Sequence, residues 1–166
     1  MSRGASRSRS RSARPAPIGG GAGAPTAPEG GLMVAYIDGG SRGNPGPAGY
    51  GVRIENGHGV LVDELYGALG TATNNVAEYR GLLAALRWAA DRSVGRLTVR
   101  SDSELLVRQM LGAYRVKNPG LAPLHREAQS LIARLDRVTF EHIPRELNAE
   151  ADRLANRAMD EAPGAA

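Results

Sequence analysis

The sequence predicts an α/β domain in which a mixed β-sheet carries helices on its faces. Two short apolar runs that end on an acid are typical of buried strands: LMVAYID at 32–38 and RLTVRSD at 96–102. Asn56-Gly57 is a strong two-residue hairpin signal between them. Helical segments alternate with the later strands, and the order β-β-β-α-β-α-α-β-α is typical of a mixed sheet covered by helices.

The first strand is expected to end at Asp38. The next eleven residues contain five glycines and two prolines, which is more than a tight hairpin needs. They predict a long loop, and a plain hairpin connection is the simpler alternative. Residues 49–67 then predict two strands joined at Asn56-Gly57.

Helix signals begin after this hairpin. Residues 74–92 predict a helix with Asn74 or Asn75 as its N-cap. The remaining elements are the strand that ends at Asp102, helices at 103–113 and 121–135, a strand at 137–144 and a closing helix at 148–161.

The basic character of the chain lies in its N-terminal segment. The chain has 166 residues and a formal charge of +4, but residues 1–30 hold five arginines and one glutamate, which leaves residues 31–166 formally neutral. Arg/Ser repeats followed by Pro, Gly and Ala cannot bury enough apolar surface to become ordered. We therefore expect a disordered tail at 1–30, one folded domain at 31–162 and a short C-terminal tail at 163–166. The first tail is either an RNA-binding extension or a dispensable one.

The composition argues against several classes of protein. The sequence has no apolar run of about 18 residues, which a membrane-spanning helix requires, and its N-terminus lacks the apolar region of a secretory signal. Cysteine is absent, so disulfides and thiolate metal sites are excluded. We expect a cytoplasmic protein without a membrane partner.

Four acids stand at positions that suggest a shared site. Asp38 and Asp102 end strands, and in open α/β sheets ligands bind at that edge. Glu78 lies on a helix face that should pack on the sheet, where an unpaired carboxylate is costly, and Asp152 lies on an apolar stripe of the last helix. Each acid also has a simpler explanation. Asp102 would cap a helix, Asp152 would be a first-turn acid, and Asp38 would bond to its own glycine turn.

Together, the four carboxylates point to metal chemistry. Carboxylates gathered at one sheet edge repel one another unless cations neutralise them. Carboxylate oxygens suit hard ions such as Mg²⁺ or Mn²⁺. Two such ions about 3.5–4 Å apart stabilise the attacking and leaving oxygens of phosphoryl transfer.

Four motifs resemble, in order, those of the type 1 ribonuclease H family. They are YIDGGSRGNPGPAGYG, TNNVAEYRGLLAAL, VRSDSELLVRQM and HIPRELNAEADRLAN, and the resemblance covers about residues 32–160. That family cleaves the RNA strand of RNA–DNA hybrids with two divalent metals, leaving 5′-phosphate and 3′-hydroxyl ends. The resemblance implies a five-stranded mixed sheet, with three antiparallel strands and then two parallel ones. It also implies a hybrid as the partner, two Mg²⁺ ions with Mn²⁺ as a possible substitute, and a monomer.

The same resemblance implies roles for individual residues. The metal ligands would be Asp38, Glu78, Asp102 and Asp152. Substrate contacts would come from Gly39, Gly40, Asn44, Thr73, Asn74 and Asn75. The glycines allow the backbone to approach a nucleic acid, and Thr73 falls where the family binds a DNA phosphate. Helix capping is an equal alternative for Asn74.

The sequence departs from many family members after the last strand. A loop histidine assists proton transfer or product release in those members. His142 precedes Asp152 by ten residues but falls in the predicted strand. Arg145 is the better candidate, because a guanidinium can hold a phosphate although it cannot act as a base. The chain therefore resembles a short-loop branch, which also lacks the family's basic protrusion.

Two other functions stay open at this point. One is a hybrid- or RNA-binding module with weak or lost catalysis, and the presence of all four acids argues against it. The other is a DNA nuclease on the same fold, because fold alone does not set the substrate. The Gly/Asn loop and the paired asparagines favour hybrids.

Overall fold

The computed structural model describes residues 31–163. The tail predicted at 1–30 and residues 164–166 of the predicted C-terminal tail lie outside the described residues. Within 31–163 the strands are β1 (Leu32–Ser41), β2 (Gly46–Asn56), β3 (Leu61–Ala72), β4 (Arg96–Ser101) and β5 (Arg137–His142). The helices are α1 (Asn74–Asp91), α2 (Glu104–Met110), α3 (Ala122–Ile132) and α4 (Ala149–Asp160), with a 3-10 helix at Arg145–Asn148. The predicted order of elements is confirmed.

The five strands form one sheet in the order β3-β2-β1-β4-β5. β1 and β3 are antiparallel to β2, whereas β1, β4 and β5 are mutually parallel. The predicted fold class, three antiparallel strands followed by two parallel ones, is confirmed. Because β1 and β4 are parallel neighbours, their carboxyl ends meet at one edge of the sheet.

Helices cover both faces of this sheet. Val52 in β2 belongs to a buried core shared with α1, α2 and α3. Its neighbour Gly51 lies against α4. Successive residues of a strand point to opposite faces, so α4 packs on the face opposite α1. None of the helices within residues 31–163 has the length and apolar character that a membrane crossing demands.

The glycine-rich segment after Asp38 differs from the prediction. β1 continues to Ser41 and β2 starts at Gly46, so only residues 42–45 form the connection, and the predicted eleven-residue loop is wrong. Asp38 is paired with Gly51 across the two strands. Most of these glycines therefore lie in strands. Close approach of a helix explains Gly39 and Gly49, whereas Gly46 lies against the backbone of the turn at Arg42.

The start of α1 also differs from the prediction. Thr73 is the N-cap, and its hydroxyl oxygen accepts a hydrogen bond from the Val76 N–H at 3.2 Å. Asn74 and Asn75 are the first two residues of the helix. The sequence favoured an asparagine cap, but the extended backbone of Thr73 brings its hydroxyl to the free N–H groups first.

Candidate active site

Three carboxylates meet where β1 and β4 end. Asp38 lies in β1, Glu78 lies in α1 and Asp102 directly follows β4. One oxygen of each residue lies within 4.8 Å of the corresponding oxygens of the other two. The structure therefore brings together three of the four acids that the sequence singled out.

The fourth acid, Asp152, lies beside Asp38 but outside this compact group. It stands in the first turn of α4 and is exposed. It does not join the group whose oxygens are all within 4.8 Å of one another. Its charge and a hydrogen bond still raise the pKa of Asp38. The site is thus a compact trio with an outer acid on the last helix.

Burial and mutual repulsion make the two inner acids hold their protons tightly. Burial raises the pKa of Asp38 to about 8, and the charges of Asp102, Asp152 and Glu78 contribute in that order. Burial also raises the pKa of Glu78 to about 7. Asp102 adds to the shift, whereas a hydrogen bond from Ser103 and the charge of Arg145 oppose it. A cation in the cluster would remove the cost of ionising these groups.

The donor set fits a hard divalent cation. All the side chains offered are carboxylates, which Mg²⁺ and Mn²⁺ prefer over the softer ligands that zinc and copper select. The trio of Asp38, Glu78 and Asp102 is the group within residues 31–163 that could hold a metal ion.

Two glycines let helices α1 and α4 pack so closely on the sheet that Glu78 and Asp152 lie near Asp38. A Cβ on Gly39 would overlap the backbone of Ala77 and Glu78 in α1. A Cβ on Gly51 would overlap the backbone of α4 at Ala151, next to Asp152. Any larger residue at either position would push one acid-bearing helix away from the strand that carries Asp38.

The residues with predicted substrate contacts form a network beside the acids. The side-chain Oδ1 of Asn44 accepts a hydrogen bond from the Asn74 N–H at 3.0 Å. The side-chain Oδ1 of Asn74 accepts hydrogen bonds from the Ser41 N–H at 2.8 Å and from the Ser41 hydroxyl at 3.0 Å. Gly40 faces Asn74, and Asn75 is exposed beside it. The turn at 42–45 is thereby tied to the N-terminus of α1.

The two candidates after β5 take different positions. His142 is the last residue of β5, as predicted from the strand pattern, and its side chain is exposed. Arg145 is exposed at the start of the 3-10 helix, and its charge lowers the pKa of Glu78. Arg145 therefore lies within electrostatic reach of the acids.

Two residues in contact with the acids were missed by sequence reasoning. Ser103 caps α2 by accepting a hydrogen bond from the Leu106 N–H at 3.2 Å, and it also bonds to Glu78. The Asn148 amide nitrogen lies 3.4 Å from an Asp102 carboxylate oxygen. In the sequence both residues resemble ordinary helix caps, so their contacts with the acids could not be predicted from their positions.

The mixed sheet and the acids at the ends of its central strands define a protein of the ribonuclease H-like class. A family model described as reverse transcriptase-like matches residues 36–158. Ribonuclease HI of Halobacterium salinarum is 44% identical over 133 residues, which cover 80% of this chain and 67% of that protein. The chain belongs to the type 1 ribonuclease H family.

A longer relative and two solved structures extend the comparison. The bifunctional protein Rv2228c of Mycobacterium tuberculosis is 49% identical over 131 residues, which cover 78% of this chain. The match spans only 36% of the length of Rv2228c. The crystal structure of RNase H1 from Halobacterium salinarum has a TM-score of 0.77 at 43% identity and covers 80% of this chain and 100% of that one. LC11-RNase H1 in complex with an RNA/DNA hybrid has a TM-score of 0.73 at 42% identity, covering 78% and 97%.

Proposed function

We propose that this protein is an endoribonuclease that hydrolyses the RNA strand of RNA–DNA hybrids and leaves 5′-phosphate and 3′-hydroxyl ends. The observation that carries the proposal is the trio of Asp38, Glu78 and Asp102 with Asp152 beside it, in a chain of the ribonuclease H family. The hybrid-bound structure of LC11-RNase H1, at 42% identity, supports the choice of substrate.

The four carboxylates are proposed to hold two Mg²⁺ ions, with Mn²⁺ as a possible substitute. The all-oxygen donor set and the raised pKa values of Asp38 and Glu78 support this assignment. When bound, two such ions lower the pKa of the attacking water and stabilise the leaving 3′-oxygen. The fold holds the four carboxylates at fixed positions. Pairing of the strands and the close contacts of Gly39 with α1 and of Gly51 with α4 support this arrangement.

The hybrid is proposed to lie across the turn at 42–45 and the N-terminus of α1. Asn44, Asn75 and the backbone at Gly40 are positioned to reach 2′-hydroxyl groups, which distinguish RNA from DNA. The N-terminus of α1 at Thr73 suits a phosphate, because a helix N-terminus attracts anions. Gly39 has a packing role against α1 in addition to its predicted substrate contact.

Arg145 is proposed to hold a phosphate of the substrate or product near Glu78. Its guanidinium binds phosphate oxygens in a bidentate manner but does not release a proton near neutral pH. Proton transfer is therefore assigned to solvent rather than to His142, which lies at the end of β5.

The functional unit is proposed to be the catalytic domain at residues 31–162, acting as a cytoplasmic monomer. The absence of cysteine in the sequence is compatible with a reducing compartment. Sedimentation of the purified protein at micromolar concentration tests the monomer directly, because a dimer would double the mass.

The experiment that tests the function is hydrolysis of an end-labelled RNA–DNA hybrid with Mg²⁺ and then with Mn²⁺. Wild type is expected to cleave only the RNA strand, and only with metal, whereas Asp38→Asn reduces cleavage to background. Asp91→Asn is the matched control, because this exposed acid ends α1 away from the cluster. Matched RNA–RNA and DNA–DNA duplexes should stay intact.

Two results would contradict this function. Cleavage of the DNA–DNA duplex at a comparable rate would indicate a DNA nuclease. Tight binding of the hybrid by a folded protein that cleaves nothing with either ion would indicate a binding module.

A further inference from the structure

Asn148 is a buried amide at the junction of the 3-10 helix and α4. Its side chain and backbone together are only 1% exposed. It follows the exposed residue Leu147 and precedes Asp152 by four residues, about one helical turn. A polar side chain this deeply buried needs partners, so its contacts reveal what it does.

The Asn148 side chain joins three elements of the site. Its Nδ2 donates a hydrogen bond to the Ile37 carbonyl oxygen at 2.8 Å, and Ile37 directly precedes Asp38 in β1. The same nitrogen lies 3.4 Å from the Asp102 Oδ2, just after β4. Asn148 itself begins the helix that carries Asp152. One amide group therefore links the chain segments of three of the four acids.

These contacts leave the side-chain oxygen of Asn148 without a hydrogen-bond partner in the described part of the chain. An asparagine at the N-cap normally accepts a hydrogen bond from an N–H in the first helical turn, but Asn148 makes no such bond. Its Oδ1 is buried and has no hydrogen-bond partner among residues 31–163. An unpaired buried acceptor costs free energy. The side chain is thus placed to aim its donor at Ile37 and Asp102.

The orientation of the amide is fixed by the chemistry of its neighbours. The Ile37 carbonyl and the Asp102 carboxylate are both acceptors, so a rotated amide would place Oδ1 against two other oxygens. Only the orientation with Nδ2 toward them makes a favourable contact.

We propose that Asn148 is a positioning residue that holds the Asp102 carboxylate and the start of α4 in place relative to β1. Without it, Asp102 loses its amide donor and α4 is free to shift along β2, which moves Asp152 relative to Asp38. The inference rests on the proposed metal-dependent function of the acids. Residues that orient metal ligands in this way affect metal affinity as well as turnover.

The test compares Asn148→Ala with Asn56→Ala. Asn56 also uses its side chain in two hydrogen bonds, from the N–H groups of His58 and Val60 at 2.8 and 3.1 Å. Those bonds lie in the β2–β3 hairpin and touch none of the acids, so Asn56→Ala is the control for lost stability. For each protein, Mn²⁺ binding to the free enzyme, melting temperature, kcat and KM for a hybrid are measured.

Asn148→Ala is expected to weaken Mn²⁺ binding and to lower kcat about tenfold or more, with little change in KM. Asn56→Ala should lower the melting temperature and leave Mn²⁺ affinity and kcat unchanged. Asn148→Ser, which retains a short donor, should fold and fall between wild type and Asn148→Ala.

The inference is overturned if Asn148→Ala and Asn148→Ser bind Mn²⁺ like wild type while their melting temperatures fall. A wild-type protein that cleaves no hybrid would instead contradict the proposed function. The Mn²⁺ titration would still decide whether Asn148 positions the acids, so the two failures are distinguishable.

Discussion

Asp38 is the acid on which the other three converge. It is half-buried, and burial together with the charges of Asp102, Asp152 and Glu78 raises its pKa. In a metal-free protein this crowding is relieved by protons, and in a metal-loaded one it would be relieved by cations. Protons and metal ions therefore compete for the same oxygens, which gives the site a measurable pH signature.

The stability of the metal-free protein should fall as the pH rises. Folding raises the pKa of Asp38 from 3.8 to about 8 and that of Glu78 from 4.5 to about 7. Between these pKa values the folded state binds more protons than the unfolded state. The resulting stabilisation is fully present at pH values below the pKa values of the unfolded chain, and it is lost as the pH rises through the pKa values of the folded protein. Melting in EDTA between about pH 5.5 and about pH 8.5 should show this decline.

Asp38→Asn is the control for this pH dependence. It should melt with a shallower decline, because the group with the largest shift no longer titrates. Added Mg²⁺ should raise the melting temperature more at high pH, since fewer protons must be displaced. A melting temperature that rises with pH in EDTA would contradict the assignment of these shifts.

Arg145 and His142 make different predictions for catalysis. Arg145→Ala should lower kcat/KM about tenfold through loss of a phosphate contact, and Arg145→Lys should recover part of it because the charge remains. His142→Ala should match wild type. Single-turnover cleavage of a hybrid measures both variants, and a larger loss in His142→Ala than in Arg145→Ala would reverse the assignment.

Among the elements, the close packing of two helices on β1 and β2 sets the geometry of the acids. α1 rests on Gly39, and α4 rests on Gly51 and Gly49. At Gly49 a Cβ would lie 3.0 Å from the Ala158 Cβ and 3.1 Å from the Ala155 carbonyl oxygen. Small residues on both sides let the helix backbone approach the strand, so the positions of Glu78 and Asp152 depend on residues that bear no functional group.

Gly39→Ala and Gly51→Ala should each reduce stability and activity together. The added methyl group forces a helix outward, and overpacking of this kind costs about 1–3 kcal/mol. Urea unfolding and hybrid cleavage measure the two effects. Gly57→Ala is the matched control, because the atoms nearest its new methyl group lie 3.7 Å away. Equal behaviour of the three variants would show that the close approach is unimportant.

The sequence predicted the strands and helices whose signals lie in neighbouring residues of the chain. Apolar runs and the helical periodicity around Glu78 located strands and helices well, because each signal lies within one segment. The Asn56-Gly57 signal placed the hairpin correctly, but residues 57–60 form the connection, so the predicted two-residue turn is wrong. The eleven-residue loop was wrong because Gly39 and Gly49 pack against helices distant in sequence, and Gly40 is paired with Gly49 between the two strands. Asn148 was missed for the same reason, since its partners are Ile37 and Asp102.

Across the whole molecule, charge is distributed unevenly along the chain. Residues 1–30 contribute the entire net charge of +4, and residues 31–166 are formally neutral. Arg115 and Lys117 are exposed between α2 and α3, but the described chain forms only those two helices between β4 and β5. Electrostatic attraction to a nucleic acid is therefore expected to come mainly from the N-terminal segment.

Deletion of residues 1–30 should raise KM for the hybrid and flatten its salt dependence while sparing kcat. The physical reason is that fewer counterions are released when fewer arginines contact phosphates. A full-length variant with the five tail arginines replaced by glutamine separates charge from length. Unchanged KM at every salt concentration in both variants would show that the segment is dispensable.

The position of Asp152 on the final helix has a consequence for the timing of biosynthesis. A chain that leaves the ribosome N-terminus first presents Asp38, Glu78 and Asp102 well before Asn148 and Asp152. The strands β1 to β4 can pair while α4 is still being made, but the fourth carboxylate and the Asn148 amide are absent until then. If the proposed activity needs all four acids, a nascent chain that has not yet formed α4 cannot degrade nucleic acid, and the site is completed only when α4 docks.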